Sequence, residues 1–83
     1  MTTADQIRTA YRSIATQGGY VRLADLRPAV NAPRGLVDAE LVRMSRQDDV
    51  WIIPNSQQGD LTQADRDAAV QIGAQMRHLI RIT

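Results

Sequence analysis

Eighty-three residues with 43% hydrophobic content are enough for one small core, and residues 1–83 are expected to form a single domain. There is no apolar run of about 18 residues and no basic-then-apolar start, so neither a membrane span nor a signal peptide is expected, and the chain is expected in the cytoplasm. The absence of cysteine excludes disulfides and thiolate metal sites, and a net charge of +1 lacks the basic excess that announces a nucleic-acid binder.

All ten basic residues are arginine, a bias that a GC-rich coding genome explains more simply than selection for guanidinium chemistry. Residues 1–46 carry seven arginines against Asp5, Asp25, Asp38 and Glu40, a balance of +3. Residues 47–83 carry Arg66, Arg77 and Arg81 against five aspartates, a balance of −2. A moderately basic half is thus followed by an acidic one.

In the first segment Ile7, Ala10, Tyr11, Ile14 and Ala15 recur at helical spacing, which predicts a helix of about three to four turns with these residues inward. Gln6, Arg8, Thr9, Arg12 and Ser13 are expected to face water, and Gly18 and Gly19 to end the helix. Residues 20–23 alternate briefly, as in a short edge strand. A helix over 24–30 follows, with Leu23, Leu26 and Val30 inward. Pro28 is tolerable there only in the first turn and would break a longer helix.

Residues 31–35 are turn chemistry, and Pro33 suits the first position of a third helix over 34–47. In that helix Val37, Leu41 and Met44 form the inward stripe, with Glu40 at its edge. Gly35, Ala39, Val42, Arg43 and Arg46 lie on the opposite face. Residues 50–54, VWIIP, read as a strand, and 55–60 as a polar loop. Thr62 and Asp65 have the spacing of a helix cap, predicting a short helix over 63–72 that Gly73 ends. Residues 76–82, MRHLIRI, read as a strand able to pair antiparallel with VWIIP.

This order of elements resembles the winged helix-turn-helix superfamily over most of the chain: a first helix, a short strand, the helix pair 24–30 and 34–47, then two strands. The phrases VRLADLRPAV and LTQADRDAAVQIGAQMRHLI resemble small winged-helix-like domains, found alone or appended to larger bacterial proteins, that mostly lack an assigned biochemical role. The resemblance implies an α+β fold, a three-helix core plus a small antiparallel β-hairpin. A departure from the family is the helix at 63–72 between the two strands, which replaces the usual tight, basic wing loop.

Little in the chain suggests a reaction. His78, the only histidine, sits among β-patterned Met76, Ile80 and Ile82, where a partly buried structural role is the simpler expectation. Asp48–Asp49 and Asp60, Asp65 and Asp67 lack metal-loop spacing, and capping and solvation explain them. No enzyme activity, cofactor, metal or small-molecule substrate is expected. Trp51 is a conceivable stacking platform for bases, but between Val50 and Ile52 a core position is expected.

The third helix carries the functional expectation. Small residues at Gly35 and Ala39 allow close approach to DNA, while Arg43 and Arg46 offer bidentate donors to guanine or phosphate. Arg34 adds a phosphate contact near the helix start, and Arg22 and Arg27 on the preceding element clamp the backbone. Against this stand Asp38, Asp48 and Asp49 on or beside the same helix. The alternative is a protein-interaction module without DNA binding, dimerising or docking on a larger partner, centred on Val42 with flanking arginines or on the open edge of the small sheet.

Overall fold

The computed structural model describes residues 2–55, 59 and 61–83; residues 56–58 and Asp60 of the expected polar loop lie outside the described residues. The first helix, α1 (Thr3–Ile14), opens on a reciprocal cap. The Thr2 hydroxyl accepts the Asp5 N–H at 3.1 Å, and the Asp5 carboxylate accepts the Thr2 N–H at 3.3 Å. Ile7, Ala10 and Tyr11 are buried as their spacing predicts, but Ile14 is 40% exposed. The helix stops at that residue, and the chain turns away through Gly18 and Gly19, both at positive φ. The Tyr11 hydroxyl donates to the Gly19 carbonyl at 2.5 Å, fastening the turn to the helix. Arg8, expected in water, is half-buried and donates to Asp49 at 2.9 Å and Gln47 at 2.6 Å.

The short strand β1 (Val21–Arg22) leads directly into α2 (Leu23–Leu26). The expected helix over 24–30 begins one residue earlier and changes character at Arg27, where a 3₁₀ turn, η1 (Arg27–Ala29), takes over. Pro28 has no N–H and its ring crowds the preceding turn, so the α-helical ladder cannot pass it. The 3₁₀ turn holds the proline in its first positions. Leu23, Leu26 and Val30 are all buried.

Helix α3 (Arg34–Met44) has Pro33 as its N-cap rather than its first helical residue; the Pro33 carbonyl accepts the Leu36 and Val37 N–H groups. It ends three residues short of expectation. The Arg43 and Met44 carbonyls take tightened bonds from Arg46 and Gln47, and Gln47 is drawn off toward Arg8. Val37, Leu41 and Met44 are buried as predicted, whereas Val42, expected outside, is half-buried against the core.

Strand β2 (Val50–Ile53) buries Val50 and Ile52 and turns Trp51 outward, 43% exposed. The core position expected for Trp51 is therefore overturned by strand alternation, which gives adjacent residues opposite faces. The Arg81 guanidinium lies over its ring, 5.8 Å from the centroid.

The segment after Thr62 departs most from expectation. The cap is present in both directions, but α4 (Gln63–Ala68) stops four residues short of the predicted end, because Ala69 is extended. Val70–Ile72 form β3, which pairs antiparallel with β4 (Gln75–Arg77). Gly73 thus opens a two-residue hairpin loop at φ 64 instead of ending a helix. The predicted strand over 76–82 is split at His78: its first part belongs to this hairpin and its second is β5 (Leu79–Ile82).

Strand β5 pairs antiparallel with β2, Ile52 opposite Ile80, as expected for VWIIP. It also pairs with β1, Val21 opposite Ile80. The result is a small α+β domain with four α-helices, a three-stranded antiparallel sheet in the order β1-β5-β2, and a separate two-stranded sheet, among the described residues. The expected simple hairpin is replaced by a sheet with β5 at its centre. The helices α1, α2 and α3 and the inner face of this sheet enclose the core, where Ile7, Leu23, Leu26, Leu41, Met44 and Ile80 are fully buried. Each contributes roughly 1.5–3 kcal/mol of burial free energy. His78 is also buried: its Nδ1 accepts the Asn55 N–H at 3.1 Å, and its own backbone bonds to Ile53 and Leu23.

Candidate functional site

Helix α3 presents one side to the core through Val37, Leu41 and Met44, so Gly35, Ala39 and Arg43 fall on the far side, all exposed. Arg46 follows just beyond the helix end and is exposed too. Among the described residues the Arg46 side chain makes no hydrogen bond or ion pair. Arg43 is paired along the helix with Glu40, and that hydrogen bond raises its pKa above the ordinary guanidinium value.

The other three arginines lie in two groups. Arg27 and Arg34 are brought together by Asp38: the Arg27 Nη2 donates at 2.6 Å, and the Arg34 Nε stands 3.7 Å away. Both also reach the junction of α4 and β3, Arg27 Nε donating to the Ala68 carbonyl at 2.7 Å and Arg34 Nη2 to the Ala69 carbonyl at 3.3 Å. Only 13% of the Arg27 side chain is exposed, against 56% for Arg34. Arg22 belongs to the second group, donating from β1 to Asp65 at 2.8 Å and lying within 3.4 Å of the Thr62 hydroxyl. The Asp65 hydrogen bond raises the Arg22 pKa.

The electrostatic result is modest. Arg34 and Arg43 against Asp38 and Glu40 leave α3 formally neutral. Leu36, which the sequence reading passed over, is 57% exposed on the same helix. Its place was legible, since it falls about 100° round the helix from Val37 and outside the Val37, Leu41, Met44 stripe. Asp38 as the shared partner of two arginines was not legible, because the second of them reaches it from a different element.

Among the described residues no group of three or more His, Cys, Asp or Glu side chains stands close enough to hold a metal ion, and no helix is long and apolar enough to cross a membrane. Two open recesses flank the helices. One of about 330 Å³ is lined by Arg27, Pro28, Ala32, Arg34 and Val37. The other, of about 380 Å³, is lined by Gln6, Thr9, Ala10, Ser13, Ala29 and Asn31. Compared with family models, curated proteins and solved structures, the chain matches none.

Proposed function

We propose that the protein is a DNA-binding domain of winged-helix type, a small regulator that sets the outer face of α3 in the major groove. The observation that carries this reading is the uncovered far side of α3, where two positions with little side chain, Gly35 and Ala39, adjoin exposed Arg43 and unpaired Arg46. Arg43 and Arg46 contact bases or phosphates. In the Arg43–Glu40 pair the arginine side chain is 62% exposed and the glutamate 18%, so the arginine is open to exchange its partner for a stronger phosphate contact. Arg34 and Arg22 add backbone contacts, while Arg27, held by Ala68 and Asp38, acts from within by fixing where Arg34 sits. A few such contacts discriminate poorly, so two copies on a palindrome are needed for a specific site.

Fluorescence anisotropy with GC-rich duplexes at two salt concentrations tests this. Binding is expected to weaken steeply as salt rises, and the Arg43→Glu, Arg46→Glu double variant is expected to lose it. No binding at low salt and high protein concentration overturns it.

A second reading, docking of α3 on a protein partner or a second copy, is favoured by the neutrality of α3 and by exposed Leu36. Association of that kind persists at high salt and is lost in Leu36→Asp, a change that leaves salt-sensitive DNA binding in place.

A further inference from the structure

The recess between η1 and the start of α3 has an unusual balance of charge. Arg27 and Arg34 both line it, and among the described residues Asp38 is the one carboxylate that serves them. The two guanidinium groups are also anchored by the Ala68 and Ala69 carbonyls, which fix them in place without neutralising them. One positive charge is left uncompensated. In addition, Arg27 Nη1 is buried and has no hydrogen-bond partner among the described residues. The rest of the wall, Pro28, Ala32 and Val37, is apolar.

We propose that this recess binds a small organic carboxylate. Its oxygens face Arg34, whose exposed planar guanidinium matches a carboxylate's geometry, while the buried Arg27 guanidinium contributes its charge from within the wall. Its hydrocarbon body lies against Pro28, Ala32 and Val37. A monoanion fits the single surplus charge. A phosphate dianion would set its second charge against Asp38 and the apolar wall, with no donor to receive it. The volume of about 330 Å³ is near the lower end of small-molecule sites, which suits a ligand the size of benzoate. The other recess lacks any charged side chain, and its Gln6 Oε1 already accepts the Asn31 N–H at 2.9 Å, so it serves as an internal comparison. The site is a property of the free protein and does not depend on DNA binding.

The test is a titration of the ¹⁵N-labelled protein with sodium benzoate at constant ionic strength, with benzamide and inorganic phosphate in parallel. Benzoate is expected to give saturable shifts at the Ala32, Arg34 and Gly35 amides, with none from the other two compounds. Arg34→Gln is expected to weaken binding about tenfold, the size of one charge-assisted hydrogen bond. Ala32→Leu, which fills the recess without touching a charge, is expected to abolish it. Arg34 is exposed enough that Arg34→Gln keeps the fold, and an unchanged spectrum elsewhere verifies this. Shifts that never saturate, an equal response to benzamide, or undiminished binding by Arg34→Gln overturn the site. An equal response to phosphate overturns its assignment to carboxylates.

Discussion

Removing the guanidinium of Arg27 would strip the Ala68 carbonyl and the Asp38 carboxylate of their shortest donors at once, 2.7 and 2.6 Å respectively. Arg27→Met keeps the aliphatic stem and so isolates that loss. It is expected to lower stability by about 2–3 kcal/mol in urea denaturation, and a change near zero would show that water replaces both bonds. Asp65 works differently. The Thr62 N–H and then the Arg22 guanidinium hold its carboxyl below the ordinary carboxylate range. Because its pKa is lower in the folded than in the unfolded state, Asp65 stabilises the fold above that range, and the contribution is lost as acid protonates it. Asp65→Asn is expected to be less stable at neutral pH, with a flatter loss of stability as pH falls from about 5 to 2, read from urea midpoints. Asp5, held down by Thr2, and Asp49, held down by Arg8, act in the same direction. At this scale the sequence shows which residues carry charge but not which partners they meet. Arg8 and Asp49, or Arg22 and Asp65, lie far apart in the chain and are joined only by the packing of separate elements.

Among the elements, α4 is too short to persist alone, so its cap matters more than its length. Thr62→Ala is expected to cost about 1 kcal/mol in thermal or urea unfolding. The β3–β4 hairpin depends on Gly73 in a different way. A methyl group added there would meet nothing within 4 Å, so the cost of Gly73→Ala is purely conformational. It is expected at about 1 kcal/mol from the φ of 64. Amide exchange would show it first in residues 70–77. Capping chemistry is local, and for that reason the start of α4 was legible from Thr62 and Asp65. Its end was not. A short stretch such as AVQI satisfies helical and strand periodicity alike, and a glycine closes a helix or a hairpin equally well. The same limit applied to residues 76–82, where one apparent strand turned out to serve two sheets.

For the molecule as a whole, α1 to α3 were readable because each repeats its apolar residues on one face, and Ile7, Leu26 and Leu41 meet in the core as that pattern requires. The sheet was readable only as pairwise possibility, since the central place of β5 follows from tertiary packing. Ile80 occupies the middle of that strand with no exposed surface. Ile80→Ala is expected to cost about 2–5 kcal/mol, a large share of the roughly 5–10 kcal/mol that holds a domain of this size. Circular dichroism would then show a partly unfolded population at 37 °C. The Arg43→Glu, Arg46→Glu variant is expected to lower stability by only about 0.5–1 kcal/mol, from the lost Arg43–Glu40 pair and an acid in the last turn of α3, which separates a lost contact with DNA from a lost fold.

The position of β5 also governs how the protein comes into being. Strands β1 and β2 meet only through it, so during synthesis no part of the three-stranded sheet can close until Leu79 and Ile80 have left the ribosome. The helices emerge earlier with their apolar faces waiting for a partner. Until that partner arrives they are a substrate for chaperones and proteases. Closure of this sheet is then a late event, and a cut before Leu79 removes the strand that joins the other two.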